Sequence, residues 1–468
     1  MKLRRAFASL CIFALVLLTG CTVGPNYSRP QTPALPTYRG SDDSDVATTS
    51  ASLGDEKWAE VFREPELQQL IKTALTNNYD LRVAAQRVFE QQAQVRITRA
   101  QGFPTLNVGG TGAGADIPSS VGQNIGSPLA FGSFNLSTAW IPDFWGLYRR
   151  QTEAARATLL AQVWAQRAVR MSLVQQVATI YIQVRALDRE LTIARQTEQV
   201  RQDSVKLTST LERGGAAPLS DVRQAEQLLF TATSQIPAIE EQIQQQENAL
   251  RLLLGENPGA VAHTDEQALT PPPQDLPVGV PSQLLERRPD IQQAEQQLVS
   301  ANARIGVARA QFFPQISISA SGGVGGDSFA SIFNGSGHTI YGIGSLAQPL
   351  FEGGKLKGQL QLAEATKQEM VLNYQSTILA AFRDVSNALI ALNKQRATRV
   401  EQQKLVAAAE DATRLARIRY KGGATSYLEV LTTDSNLFAA QLNLVTAQQN
   451  ESLSLVQLYS ALGGGWQQ

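Results

Sequence analysis

The sequence predicts a mixed α/β membrane fold: a four-stranded share of a transmembrane β-barrel, completed by further copies of the chain, joined to long antiparallel helices that build a helical barrel. Three observations carry this expectation. The amino terminus reads as a secretory signal ending in an acylatable cysteine. No later stretch offers eighteen consecutive apolar residues, so any membrane crossing falls to strands closed into a barrel. A single unit of helices and short alternating segments is written twice in tandem.

The 468 residues are 43% apolar and 18% charged, with 41 basic and 41 acidic side chains. A balanced chain without a basic block gives no electrostatic footprint for nucleic acid. Lys2, Arg4 and Arg5 open a charged start, and residues 6–18 are apolar but too short to span a bilayer. Leu18-Thr19-Gly20-Cys21 follows and resembles the bacterial lipobox, in which the cysteine thiol takes a diacylglycerol. A simple cleaved signal is the bland alternative. Cys11 lies inside the signal, so the mature chain keeps only Cys21. A lone thiol in an oxidising compartment is a hazard unless capped, and acylation caps it. Loss of the three basic residues leaves a net charge of about −3.

The domain expectation is a signal at 1–20, an extended lipidated segment at 21–64, repeats at 65–270 and 282–468, and a Pro-rich linker at 271–281. Arg99-Ala100-Gln101-Gly102-Phe103-Pro104 recurs as Arg309-Ala310-Gln311-Phe312-Phe313-Pro314, a shift of 210. Gly214-Gly215-Ala216 recurs as Gly422-Gly423-Ala424, a shift of 208 that also pairs Leu229-Phe230 with Leu437-Phe438. Two nearly constant offsets over this length signal duplication.

Each copy repeats one order of elements. Helical stretches at 65–101 and 282–312 carry heptad-like apolar spacing, as at Leu81, Ala85, Val88 and Val95, and stop before Pro104 and Pro314. Next come short segments of period two, clearest in Phe134-Asn135-Leu136-Ser137-Thr138-Ala139-Trp140 and Gln315-Ile316-Ser317-Ile318-Ser319-Ala320. Such alternation suits a strand with one face to lipid and one to water, although a soluble hairpin packed on a helix would also show it. Segments 105–113 and 339–348 are weaker because glycine interrupts them. Trp140, Phe144, Trp145 and Tyr148 cluster at the hand-over to helix, as an interfacial girdle would.

Runs at 147–213 and 359–421 then lack both Gly and Pro. The first would be about 100 Å long, which implies a coiled-coil or helical-barrel setting. Each breaks at a Gly pair, and a return helix follows. The second, 426–462, has one apolar stripe through Leu428, Leu431, Phe438, Leu442, Val445 and Val456, and another through Val430, Leu437, Leu444 and Leu458. Two stripes mean two neighbouring helices. The glutamine-rich remaining face suits a wet lumen or a solvated exterior equally. Four strands cannot close a barrel, since the smallest bacterial ones have about eight; three copies give about twelve, but arithmetic alone permits other multiples.

Taken together, these residues resemble the TolC-like outer-membrane factors of tripartite efflux systems, in particular their NodT-type lipoprotein branch. Cys21-Thr22-Val23-Gly24-Pro25-Asn26-Tyr27 looks like that branch's mature start. Asn77-Asn78-Tyr79-Asp80-Leu81, Arg287-Arg288-Pro289-Asp290-Ile291 and Arg419-Tyr420-Lys421-Gly422-Gly423 resemble its hallmarks. The resemblance implies a passive homotrimeric duct, sorted to the outer membrane by its acylated Cys21 and reaching into the periplasm. It implies export of small molecules, with the turns at Gly214, Gly215, Gly422 and Gly423 meeting an adaptor protein and, through it, an inner-membrane pump of RND type. No cofactor is implied.

Asp221 and Glu429 each lie seven residues past the first glycine of a turn, two helical turns inward. The resemblance makes them gate residues with Tyr420, which can reach Asp221; the bland reading is a pair of solvated helix carboxylates. This chain departs from the family pattern in having Thr425 at the usual basic tip position and Thr432 in place of a second acid, so Arg419 or Lys421 is left as the substitute base. Enzymatic chemistry finds little support. His263 and His338 stand in separate regions, short of the three or four ligands a zinc site needs, and no nucleophile-elbow or phosphate-loop motif is present. Two competing readings stay open on sequence alone: a duct for secreted proteins, and a periplasmic scaffold lipoprotein without a pore.

Overall fold

The computed structural model describes residues 22–31, 37–40, 51–115, 129–261, 272–273, 276–326 and 337–467. Cys21, the signal stretch and His263 lie outside the described residues. The chain divides into two compact units, one drawing on residues 1–31, 87–162 and 293–374 and the other on 32–86, 163–292 and 375–468.

The helices are α1 Trp58–Val61, α2 Pro65–Asn77, α3 Tyr79–Ala100, α4 Leu147–Arg213, α5 Leu219–Thr233, α6 Gln235–Leu253, α7 Pro281–Arg287, α8 Pro289–Ala310, α9 Lys355–Lys421 and α10 Tyr427–Ala461. The strands are β1 Thr105–Ala115, β2 Leu129–Trp140, β3 Gln315–Gly326 and β4 His338–Ala347.

In the first unit the strands make one antiparallel sheet in the order β1-β2-β3-β4. β1, β2 and β3 run further than the sequence pattern suggests, because glycine does not end them, while β4 is the expected length shifted by one residue. The β2 backbone at Phe134 and Asn135 approaches Gly323 so closely that a Cβ there would collide, so this glycine serves the ladder. The register sorts the side chains by face. Val108 pairs with Leu136, Phe134 with Val324, Trp140 with Ile318, and Ile316 with Leu346, all on one side. On the other side Asn107 pairs with Ser137, Ser137 with Ser321, and Ser317 with Ser345.

This unit also holds the amino-terminal segment as a strap. Val23 N–H donates to Trp145 O (3.1 Å), and the buried Arg150 reaches Val23 O (3.2 Å), Gly24 O (3.2 Å) and Asn26 Oδ1 (3.0 Å). Asn302 donates to Pro25 O at 2.9 Å. Arg29 grips Glu295 with two nitrogens (2.8 and 2.5 Å), and the Tyr27 hydroxyl donates to the same carboxylate at 3.0 Å. Burial, then the Glu295 charge, pushes the Tyr27 phenol above the ordinary tyrosine range, so it remains a donor.

The helices show where single-stretch expectations divide. Segment 65–101 is two helices broken at Asn78, and 282–312 is two helices broken at Arg288. Asn78 Oδ1 accepts from Leu81 N–H (3.0 Å), a side-chain cap that starts α3. Arg288 precedes Pro289, whose ring drives it to an extended conformation (ψ 124°). The two breaks occupy equivalent places and use equivalent acceptors: Asn78 donates to Leu253 O (3.0 Å) and Arg288 to Ala461 O (3.3 Å).

The return helix of the first repeat is likewise split, at Ser234. Pro237 cannot donate to the Thr233 carbonyl and its ring crowds it; the second repeat has Val445 there, and α10 runs on for 35 residues. The long helix α9 starts at Lys355, four residues before the expected 359, because Gly358 keeps its helical bond to Gly354 O (2.9 Å). Both stripes of α10 supply buried side chains, among them Val430, Leu431, Phe438, Val445, Val456 and Leu458. Leu437, Leu442 and Leu444 are half-buried, and Leu428 is 56% exposed.

Candidate functional site

The ends of the long helices follow one backbone plan. Ala216 N–H donates to Leu211 O and Gly215 N–H to Glu212 O, both at 2.8 Å; Ala424 N–H donates to Arg419 O (2.9 Å) and Gly423 N–H to Tyr420 O (3.0 Å). This is the paired closure that satisfies the last carbonyls of a helix and needs a left-handed residue one past its cap. Gly215 (φ +70°) and Gly423 (φ +72°) fill that position. Their partners differ in role. Gly214 and Gly422 are not left-handed, and a Cβ on either would meet only helix carbonyls at ordinary contact distance.

Asp221 and Glu429 both sit in the first turn of the helix that follows, α5 and α10, where an acid is favoured by the exposed N–H groups. Their surroundings differ. Glu429 is engaged twice, by the Arg419 guanidinium at 3.0 Å and by a short hydrogen bond from the Thr425 hydroxyl. Thr425 thus serves Glu429 as a donor, and Arg419 pairs with Glu429 and not with Asp221. Ser426-Tyr427-Leu428-Glu429 has the spacing of a capping box, yet the Ser426 side chain makes no cap bond. Asp221 is half-buried beside Ser220, whose hydroxyl donates to it at 3.4 Å. Among the described residues Tyr420 makes no hydrogen bond to Asp221. Its ring is held instead against Tyr427, with centroids 4.9 Å apart and planes tilted by 58°. Thr432 turns its hydroxyl onto Leu428 O (2.8 Å).

Beneath these groups lies an apolar cluster of Ala225, Ala416, Tyr427, Val430 and Leu431, with Val205, Leu228 and Tyr420 packed against it. Next to it is an ion pair that sequence reasoning missed. Arg201 of α4, 3% exposed, donates to Asp434 Oδ2 of α10 (3.0 Å) and to Leu228 O of α5 (2.6 Å), and its guanidinium lies over the Phe438 ring at 4.9 Å. Arg417 holds the other Asp434 oxygen at 3.3 Å. One side chain therefore ties three helices. The signal was present: Asp434 falls between Leu431 and Phe438 at helical spacing, an acid on an apolar stripe.

Among the described residues no group of His, Cys, Asp and Glu could hold a metal ion. No helix among them is long and apolar enough to cross a membrane.

Comparison with known proteins agrees with this architecture. The family model for outer membrane efflux proteins matches twice, over residues 70–256 and 280–464, once within each repeat. The chain is 34% identical to the probable efflux pump outer membrane protein TtgC of Pseudomonas putida, across 99% of this chain and 96% of the relative. It is also 34% identical to the cation efflux system protein CusC of Escherichia coli, across 96% and 97%. The open-state structure of the Neisseria gonorrhoeae outer membrane channel MtrE superposes with a TM-score of 0.86 at 29% identity, covering 95% of this chain and 99% of that one.

Proposed function

The chain belongs to the outer membrane efflux protein family, and from that premise we propose that it is the outer-membrane channel of a tripartite system that exports small molecules. The observation that carries the reading is the sheet. Its four strands have one apolar and one hydroxyl face, as a lipid-and-water boundary requires, yet they are too few to close. Closure then comes from three copies, β4 of one meeting β1 of the next, to give about twelve strands. The acyl group on Cys21 fixes the trimer to the outer-membrane lipid. The turns at Gly214-Gly215 and Gly422-Gly423 dock a periplasmic adaptor and, behind it, an RND-type pump.

Such a duct does no chemistry; it is shut or open. Three copies place Asp221 and Glu429 around one axis, with Arg419 and Thr425 holding each Glu429 in its own protomer and Tyr420 braced on Tyr427. Adaptor docking at the turns would pull on the first residues of α5 and α10, where both carboxylates sit. The reading is tested by deleting the gene, restoring it on a plasmid, and measuring drug susceptibility together with single-channel conductance of the purified protein. Restored resistance and discrete conductance steps from heat-dissociable trimers are expected. A non-conducting lipoprotein that leaves susceptibility unchanged would point to the scaffold reading.

A further inference from the structure

The two edges of the sheet are unprotected. Natural edge strands are commonly short, charged, bulged or marked by proline, so that no other chain adds to them. β1 and β4 form the edges here, at 11 and 10 residues, and neither contains Lys, Arg, Glu, Asp or Pro. Leu106 and Val108 of β1 and Ile340 and Leu346 of β4 all stand exposed. Both edges therefore call for a partner strand, and the duct reading above, on which this inference rests, supplies it as a second copy of the chain.

The duplication says how those edges meet. The second hairpin reproduces the first residue for residue: Thr105 opposite Ala139 returns as Gln315 opposite Ala347, and Val108 opposite Leu136 returns as Ile318 opposite Gly344. β3 is thus β1 moved by 210 positions, and β4 is β2 moved by 208. Between the hairpins, β2 lies antiparallel on β3, with Ser137 opposite Ser321 and Ala139 opposite Ser319. Carried through the same two shifts, that junction becomes one between β4 and the β1 of a neighbouring copy. Ser345 then stands opposite Thr111, and Ala347 opposite Gly109.

We propose that the seam between copies has this register, so that the closed sheet repeats one junction whether or not the chain continues across it. Neighbouring registers fit the edges less well. A slip of one residue would turn the Leu346 and Val108 face of one strand onto the Ser345 and Thr111 face of the other. A slip of two would set Ser345 against Gly109 or Ala113. In the proposed register hydroxyl meets hydroxyl. Ser345 already lies 2.6 Å from Ser317, and Thr111 lies 2.7 Å from Ser133, so the seam joins two existing pairs into a row of four. Leu346 falls opposite Gly110 and Ile343 opposite Ala113, bulk against small. With no Lys, Arg, Glu or Asp in either strand, this fit sets the register without any ion pair between the strands.

The test is disulfide formation across the seam in the full-length protein, read as covalent trimer on non-reducing denaturing gels after copper-phenanthroline oxidation. Wild type, with Cys21, sets the background. Directly opposed residues have Cα atoms about 4.5–5.5 Å apart and diagonal ones about 7–8 Å, while a disulfide spans at most about 7 Å. Ser345→Cys with Thr111→Cys is expected to give a covalent trimer that reductant dissolves, and so is Ile343→Cys with Ala113→Cys. Ile343→Cys or Ala347→Cys, each combined with Thr111→Cys, should lose that product. As much trimer from either mismatched pair as from the matched ones would overturn the register. A covalent dimer from Ser345→Cys alone, or from Thr111→Cys alone, would pair like edges and overturn it as well. So would heat-dissociable trimers that none of the pairs can link. Wild type that runs only as a monomer in mild detergent would overturn the trimeric duct itself, and this proposal with it.

Discussion

Arg201 is buried with a full charge, so its acceptors decide whether the tip region is stable. Asp434 supplies one and the Leu228 carbonyl another, while the Arg201 Nη2 atom has no partner among the described residues. Removing one member of such a pair strands the other, which costs about 3–5 kcal/mol, whereas an apolar replacement of both is often neutral. Asp434→Leu is therefore expected to lower the thermal midpoint of the purified protein sharply, and Arg201→Met with Asp434→Leu to recover most of the loss. A double variant no better than Asp434→Leu would mean that the pair is not what holds α4 to α10. The turn glycines separate by the same kind of reasoning. Gly215→Val and Gly423→Val force a branched residue into a left-handed conformation at a cost of at least ~1–2 kcal/mol, whereas Gly214→Ala and Gly422→Ala require no such conformation. Drug resistance should fall with the first pair and survive the second; equal effects would show that bulk at the turn, and not its backbone, matters.

At the scale of elements, what was legible followed from periodicity, and what was missed followed from single residues overruling it. The long helices, both glycine turns and the four strands all announce themselves in sequence. The breaks at Asn78 and Arg288 do not, because apolar spacing continues through them; a side-chain cap in one case and the following proline in the other decide the local backbone. Strand ends were misjudged for a related reason: glycine usually weakens a strand, but here it lets neighbouring backbones approach. The candidate site was half legible, since Asp221 and Glu429 are visible as a repeat pair while Arg201 and Asp434 meet from 233 residues apart. The two break residues also differ in what they support. Asn78→Ala loses a cap worth about 1 kcal/mol and the hydrogen bond to Leu253 O. Arg288→Ala removes a buried guanidinium that serves the carboxylates of Asp290 (2.6 Å) and Asp384 (3.4 Å) as well as Ala461 O, so it should cost more. Denaturant unfolding of the two variants checks the order; Asn78→Ala being the worse would refute it.

At the scale of the whole molecule, duplication explains why equivalent positions reuse equivalent carbonyls, yet the strap at residues 22–31 has no counterpart among the described residues of the second repeat. It follows directly on Cys21, and it is held at both ends: by Trp145 and Arg150 at Val23 and Gly24, and by Glu295 at Tyr27 and Arg29. Thr22 lies against Gly146, just past the strand-to-helix hand-over at Trp145. The crossing that permits this is glycine on glycine. A Cβ at Gly24 would lie 2.5 Å from the Gly306 Cα, and one at Gly306 would lie 2.8 Å from Arg150 Cγ and 2.9 Å from Val23 O. Gly306→Val therefore cannot keep the strap seated without moving a backbone, while the helix around it tolerates valine at a small propensity change. In the native protein Tyr27 is partly buried and its backbone is clamped on both sides, so chymotrypsin should cut after it slowly. Gly306→Val should be cut there rapidly. Native resistance to cleavage in Gly306→Val would show that the hydrogen bonds to Arg150, Asn302 and Glu295 suffice to hold the segment, and that the glycine crossing contributes nothing to seating it.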